Sequence, residues 1–347
     1  MQLIRFFRTS TKLLIAIVLY YSGLLGLLLR SRYANQGVVL LYHRVLPESA
    51  SILSYSSNAI VVTPKTFARH LQVLRRHFSF VSPIEFEEWW QGKRRFSKPP
   101  CLISFDDGWK DNIEHARPLL RAANVPAIIF LPTDYIGTGR VFWQERLSGL
   151  LDTLGQHPEL RSHPLVTRLA LDDVFQQDAI ARSMQSRDVA RRFKTHTPEQ
   201  IDSIVTEVAD LVRTVTGPVE PASMDAYLNW QDVQTMLSED IHFGSHAVTH
   251  RILTRLDTAA VQNELSTSKQ ILEQRLGKPV HMLAFPNGDH DETTCRVARA
   301  SGYSFAFTTI PGWIQPGMDP YRLNRINIHE GAHRYTSLLY ASILGIF

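Results

Sequence analysis

Short apolar segments that end in polar residues alternate with segments of helical period along most of this chain. The apolar segments predict buried strands at 37–45, 78–82, 99–105, 125–131, 240–243, 278–286 and 303–308. Segments of helical period predict helices at 63–77, 83–90, 113–123, 258–276 and 293–301. Strands that alternate with helices are typical of a parallel α/β architecture.

The pattern changes between residue 139 and about residue 224. Polar, arginine-rich helical stretches replace the alternation there, and residues 200–214 place apolar side chains on one face of a helix. We predict a helical insert at about 140–224. It could form a second small core or a lid beside the active site, or it could be a spacer without a catalytic role.

Residues 1–36 differ from the rest of the chain. Three basic residues precede an uncharged run at 13–29, and Arg30 and Arg32 follow it. About 17 residues at 1.5 Å each give roughly 26 Å, the short end of a membrane span. A cleaved signal peptide is the alternative, but no small-x-small cleavage site follows the run. We therefore predict an uncleaved single-pass membrane helix in 1–36, followed by a catalytic domain at 37–347.

Composition is that of an ordinary globular enzyme, with 44% of the 347 residues hydrophobic and 20% charged. The net charge of +4 comes without a basic stripe interleaved with aromatic residues, so we expect no nucleic-acid partner. Nothing in the sequence brings Cys101 and Cys295 together, and we expect two buried thiols rather than a disulfide.

Two adjacent carboxylates, Asp106 and Asp107, directly follow the apolar run at 99–105. Adjacent side chains on a strand point to opposite faces, so the two can share a site only if the chain bends, which Gly108 permits. One carboxylate could then bind a metal while the other accepts a proton. A turn or a helix N-cap is the alternative interpretation of Asp-Asp-Gly.

Two histidines four positions apart, His246 and His250, follow the strand at 240–243. On one face of a helical turn, both imidazoles could reach one divalent ion, and a carboxylate from elsewhere would complete a three-ligand site. A chain with 14 histidines can also contain such a pair by chance.

These segments together resemble the polysaccharide deacetylase family, the NodB-like carbohydrate esterases of family 4. Ser-Phe-Asp-Asp-Gly at 104–108 resembles its first motif, Ser-His-Ala-Val-Thr-His at 245–250 its second, and Ala-Phe-Pro-Asn-Gly at 284–288 its third. The similarity covers roughly residues 37–330, apart from the insert. Tyr42-His43 near the start resembles the permuted branch that acts on poly-N-acetylglucosamine. The resemblance implies an incomplete, distorted (β/α) barrel.

The resemblance also implies roles for individual residues. Asp107, His246 and His250 would bind Zn²⁺, or another divalent transition metal such as cobalt or nickel. Asp106 would be the general base that takes a proton from the attacking water. For the general acid that protonates the departing amine, His43 is the first choice and His329 the alternative.

The third motif departs from the family pattern at two positions. Ala284 stands where the family has an arginine that orients the base, so another group must hold Asp106. Asn287 stands where an aromatic residue is usual, and it could still contribute its backbone N–H to the oxyanion. We expect Pro286, Asn287 and Asp289 to bind substrate.

The function that this resemblance implies is metal-dependent hydrolysis of the N-acetyl group of an amino sugar in a cell-envelope or exported polysaccharide. The alternatives are a deacetylase or deformylase of a polyprenyl- or lipid-linked amino sugar, and a glycan-binding pseudoenzyme favoured by the missing arginine. An envelope substrate also implies a place in the inner or cytoplasmic membrane, with the catalytic domain on the periplasmic or extracellular side. The charge bias around 13–29 alone determines this orientation only weakly.

Overall fold

The computed structural model describes residues 2–32, 35–217, 226–237 and 239–346. The predicted end of the insert near residue 224 lies outside the described residues. The chain divides into two compact units. Unit 1 comprises Met1–Leu46, Asn58–Thr138 and Leu228–Phe347, and unit 2 comprises Pro47–Ser57 and Gly139–Tyr227.

The centre of unit 1 is an open sheet of parallel strands. The strands of the chain are β1 (Val38–Tyr42), β2 (Arg44–Val45), β3 (Val61–Val62), β4 (Ser79–Phe80), β5 (Pro100–Phe105), β6 (Ala127–Leu131), β7 (Ile241–Ser245), β8 (Met282–Ala284), β9 (Phe305–Phe307) and β10 (Ile326–Asn327). The order is β10-β1-β5-β6-β7-β8-β9, with β4 also paired to β5, while β2 and β3 form a separate pair. This α/β half-barrel confirms the predicted fold class.

Helices follow most strands, as parallel connections require. They are α1 (Gln2–Tyr21), α2 (Leu24–Arg32), α3 (Glu48–Leu53), α4 (Pro64–Leu74), α5 (Pro83–Trp90), α6 (Arg117–Ala123), α7 (Trp143–Gly155), α8 (Pro164–Arg168), α9 (Ala179–Arg192), α10 (Pro198–Thr216), α11 (Trp230–Leu237), α12 (Thr258–Leu276), α13 (Glu292–Ala300), α14 (Glu330–His333) and α15 (Thr336–Ile343).

Local signals in the sequence determine several helix ends. Thr63 accepts a hydrogen bond from the backbone N–H of Thr66 and Pro64 begins α4, as predicted. Helix α12 spans the predicted residues and ends at Gly277 in the left-handed conformation. The predicted helix at 113–123 is instead a π-helical turn at Asn112–Ala116 followed by α6. Cys101 and Cys295 are buried free thiols, as expected.

A single membrane helix at 13–29, as predicted, is not found among the described residues. The apolar run is divided between α1 and α2 because Gly23 adopts a positive φ of 76°. Tyr20 of α1 stacks on Tyr340 of α15, with ring centroids 5.8 Å apart, and Leu25 and Leu29 are buried in the core of unit 1. Within the described ranges, no helix combines the length and hydropathy needed to cross a membrane.

Unit 2 has a hydrophobic core of its own. The buried side chains come mainly from α7, α9 and α10, and include Leu147, Leu151, Leu154, Val189, Val205 and Val208. Arg187 donates hydrogen bonds to the backbone oxygens of Ser54 and Ser56, and the Ser56 hydroxyl lies 3.2 Å from Glu145 Oε1. These contacts attach the segment 47–57 to the helices.

A chain of buried polar groups in unit 1 makes the stability of the fold dependent on pH. His70 Nε2 lies 2.8 Å from the His333 carbonyl oxygen, which can only accept, so the neutral ring donates there. The other nitrogen, Nδ1, lies 3.1 Å from the Tyr42 hydroxyl and accepts from it. Burial lowers the pKa of His70 to about 4 and the pKa of His333 to about 3.

We expect the free energy of unfolding to fall as the pH falls below about 6.5. The unfolded histidines bind protons there while the folded ones stay neutral, which costs about 2 kcal/mol for each histidine at pH 5. Denaturant titrations at pH 7.5 and 5 measure this loss. His70→Gln should make the dependence shallower, whereas the exposed His281→Gln should leave it as in wild type. An equal dependence in all three proteins would contradict the assignment to His70.

Candidate active site

The carboxyl ends of five parallel strands of one sheet carry the candidate residues. His43 follows β1, Asp106 follows β5, His246 follows β7, and His329 closely follows β10. The segment 286–289 follows β8. The register of β1 and β5 places His43 and Asp106 side by side at the centre of the carboxyl edge of the sheet. Tyr42 is paired with Phe105, and the Asp106 N–H donates to the Tyr42 carbonyl at 3.1 Å.

Asp107 is turned toward the two histidines by a bend in the backbone. Both Asp107 and Gly108 have positive φ, of 75° and 67°, so the predicted bend begins one residue earlier than Gly108. A Cβ on Gly108 would also lie 2.6 Å from Leu131 Cδ2. The bend places Asp107 Oδ1 3.2 Å from His250 Nε2 and 3.5 Å from His246 Nε2.

The two histidines do not lie on a helical turn, which corrects the prediction from their spacing. Ala247 and His250 have positive φ, of 64° and 56°, and the segment is a loop. Glu264 holds this loop, because its carboxylate accepts the backbone N–H groups of Val248 and Thr249 at 2.8 and 2.9 Å. The imidazoles still converge, with ring centroids 4.9 Å apart.

The donor set of this site fits a divalent transition metal. One ligand atom from each of Asp107, His246 and His250 lies within 4.8 Å of the others. Two imidazole nitrogens and one carboxylate oxygen are a ligand set of catalytic zinc sites that keep an open position. His246 Nδ1 lies 2.7 Å from the Ala284 carbonyl, so Nδ1 carries the proton and Nε2 is free to bind the ion.

Asp106 is held by Arg325, a residue to which the sequence analysis assigned no role. The Arg325 guanidinium donates to both carboxylate oxygens at 2.7 Å, and its Nε donates to the Thr308 carbonyl at 2.9 Å. Burial alone would raise the pKa of Asp106, but Arg325 and His246 hold this pKa below its usual range. Arg325 thus supplies the positive charge that is missing at Ala284.

His43 and His329 differ in their electrostatic surroundings. Burial lowers the pKa of His43, while the carboxylates of Asp107 and Asp106 act in the opposite direction. For His329, burial alone lowers the pKa, and its ring packs against His333 with centroids 5.4 Å apart. The structure therefore brings His43 into the electrostatic field of the two aspartates.

The three residues expected to bind substrate form a turn at the same edge. Pro286 is buried, whereas Asn287 and Asp289 are exposed. Asn287 has a positive φ of 59°, and its side-chain amide donates to Asp289 Oδ2 at 2.6 Å. The hydrogen bond from His246 to the carbonyl of Ala284 connects the strand before this turn to the ligand set.

A comparison with models of protein families identifies the family of this chain. The sequence profile described as polysaccharide deacetylase matches residues 93–306, which is more than half of the chain. The chain belongs to the polysaccharide deacetylase family. This deacetylase is therefore a hydrolase that acts on carbon–nitrogen bonds other than peptide bonds.

Individual relatives of the deacetylase are distant. YxkH of Bacillus subtilis, whose name describes a polysaccharide deacetylase, is 20% identical over 290 residues, 82% of this chain and 73% of YxkH. The poly-β-1,6-N-acetyl-D-glucosamine N-deacetylase of Staphylococcus epidermidis is 33% identical over 112 residues, 30% of this chain and 38% of that protein. The deacetylase PplD of Streptococcus pyogenes, solved with acetate, has a similar fold, with a TM-score of 0.56 and 18% identity, covering 88% of this chain and 98% of PplD.

Arg325 also bears on the pseudoenzyme alternative for this deacetylase. That alternative depended on the missing arginine of the third motif. Arg325, from another part of the chain, makes a bidentate contact with Asp106. The missing arginine of the third motif therefore no longer favours a pseudoenzyme.

Proposed function

We propose that this chain is a metal-dependent deacetylase that hydrolyses the N-acetyl group of an amino sugar in a cell-envelope or exported polysaccharide. The observation that supports it is the juxtaposition of the three-residue ligand set with Asp106, whose carboxylate oxygen Oδ2 lies 3.9 Å from His246 Nε2. Hydrolysis of an amide requires an ionised carboxylate that can act as a base beside the metal-binding set.

Asp107, His246 and His250 would hold the ion. When bound, a divalent ion supplies Lewis acidity, which polarises the acyl carbonyl and makes a water molecule acidic enough to react at neutral pH. Asp106 stays ionised at neutral pH because Arg325 lowers its pKa, so it can accept the proton of that water. The bidentate contact also fixes the direction in which the carboxylate points.

His43 is our candidate for the general acid. It follows the strand next to the one that carries Asp106, and the charges of both aspartates act on its ring. Burial lowers the pKa of His43 and these charges oppose that shift, and the protonated ring would pass its proton to the departing amine. His329 remains the alternative, although neither aspartate contributes to the shift of its pKa.

Poly-N-acetylglucosamine is the substrate class that we favour. Support comes from Tyr42-His43 and from the 33% identity with the N-deacetylase of Staphylococcus epidermidis. We propose that the exposed turn at Asn287 and Asp289 contacts the sugar. The backbone N–H of Asn287 would donate to the oxyanion of the reacting amide.

Acetate release from N-acetylglucosamine oligosaccharides by the full-length chain tests this function. We expect release with Zn²⁺, loss of release after chelation, and recovery when Zn²⁺ is restored. Release that is insensitive to chelation would contradict the metal-dependent mechanism. A zinc-loaded, folded protein that releases nothing from these oligosaccharides, yet deacetylates or deformylates a lipid-linked amino sugar, would contradict the polymer as substrate.

We propose a location at the inner or cytoplasmic membrane, with the catalytic domain on the periplasmic or extracellular side. Leu14, Val18 and Tyr21 of α1 are exposed with helical spacing, as are Leu24 and Leu27 of α2. The segment 1–36 contains five basic residues and no acidic residue, which suits anionic headgroups. We expect to recover the protein in the membrane fraction. We also expect protease added to intact spheroplasts to cleave its catalytic domain. Protection from that protease would contradict the orientation.

A further inference from the structure

The two oxygens of the Asp107 carboxylate have separate partners. Oδ1 faces His246 and His250, as described above, at 3.5 and 3.2 Å. Oδ2 accepts a hydrogen bond of 2.9 Å from the indole N–H of Trp109. Trp109 is fully buried, and an indole N–H can only donate. One oxygen is therefore directed to the ligand set and the other is occupied.

Trp109 is itself held in place by a buried ion pair. The Arg44 guanidinium lies over the Trp109 ring, 4.1 Å from its centroid, a favourable cation–π geometry. Arg44 Nε donates to Asp111 Oδ2 at 2.8 Å, and the Val45 N–H donates to Asp111 Oδ1 at 2.8 Å. Arg44 and Asp111 are each 2% exposed, so the guanidinium that lies over the indole is itself fixed by a buried counter-charge.

From this arrangement we propose that Trp109 is a positioning residue for the metal ligand Asp107. Its N–H occupies Oδ2 and leaves Oδ1 as the single oxygen that the carboxylate presents to the ion. The carboxylate would then hold the ion through one oxygen rather than two, which would suit a catalytic site with an open position. The inference rests on the metal site of the proposed function. It adds that Asp107 must bind the ion through a single oxygen.

Trp109→Phe tests the inference because it removes the N–H and keeps an aromatic ring. We expect zinc affinity, measured by competition with a chromophoric chelator, to fall by about 10- to 100-fold, the usual effect of losing a group that orients a ligand. Trp313→Phe is the matched control. It also loses an indole hydrogen bond, to the Ile343 carbonyl at 2.6 Å, and should bind zinc as wild type does.

Cobalt spectroscopy separates positioning from a general loss of packing. In the Co²⁺-loaded protein, Trp109→Phe should weaken the d–d absorption bands, as expected when a second carboxylate oxygen raises the coordination number. If the phenylalanine variant does not fold, the isosteric analogue benzothienylalanine at position 109 removes the N–H with little change in ring shape. Its spectrum and zinc affinity are then the test.

The outcomes distinguish this inference from the proposed function. A wild-type protein that binds no zinc would remove the metal site and with it the proposed mechanism. A wild-type protein that binds zinc, with a position-109 variant of equal affinity and an unchanged cobalt spectrum, would overturn the role of Trp109 alone.

Discussion

Asp106→Asn is expected to lower kcat for acetate release by about 10³-fold while stoichiometric zinc binding is retained. The amide cannot accept a proton as the carboxylate does, so the attacking water loses its base. Zinc binding should survive because Asp106 lies outside the set of Asp107, His246 and His250. Metal content by elemental analysis and steady-state acetate release at saturating substrate are the two measurements.

The control for this substitution is Asp188→Asn. Asp188 lies in α9 of unit 2 and pairs at the surface with Arg191, so both zinc content and kcat should match wild type. Two results would contradict the assignment of the base. One is a kcat within a few-fold of wild type, and the other is loss of zinc from Asp106→Asn.

Arg325→Met is expected to be the second most damaging change. It removes a fully buried guanidinium and leaves the Asp106 carboxylate without its counter-charge, which costs about 3–5 kcal/mol of stability when the partner stays ionised. Asp106 avoids part of this cost by taking up a proton. We expect kcat/KM at neutral pH to fall by about 10²-fold, because a protonated or misdirected carboxylate is not a base.

The pH profile shows whether Arg325 acts through Asp106. In wild type, Arg325 lowers the pKa of Asp106, so the acidic limb of kcat/KM that belongs to this group lies below the usual range of a carboxyl. In Arg325→Met that limb should move to higher pH. Arg322→Met, which loses an exposed pair with Glu292, should keep the wild-type profile. A uniform fall in rate without a shifted limb would indicate a structural effect instead.

Periodicity and local chemistry predicted the strands and helices that carry the site. Strand β5 is buried throughout, as parallel strands covered on both faces are, so its apolar run and the following carboxylates were visible in the sequence. Helix α12 has a capping Asp257 and ends at a glycine, so both of its ends could be predicted. The ligand residues could be proposed because their motifs are local and chemically distinctive.

Contacts between distant parts of the chain could not be predicted in the same way. Arg325 reaches Asp106 across 219 positions, and an arginine in a strand segment has no local signal for that partner. The spacing of His246 and His250 suggested a helical turn, but Glu264 from α12 holds those residues in a loop. The apolar run at 13–29 gave no sign of the break at Gly23, because glycine also occurs within helices.

The distance between Asp106 and Arg325 along the chain also sets the order in which the site becomes complete during synthesis. Both aspartates and both ligand histidines precede Arg325, which follows His250 by about 75 residues, or about 4–15 s of translation. A nascent chain that ends between these points carries all three side chains of the proposed metal site but lacks the guanidinium that holds Asp106. The growing polypeptide therefore contains the proposed metal ligands well before Arg325 can complete the site.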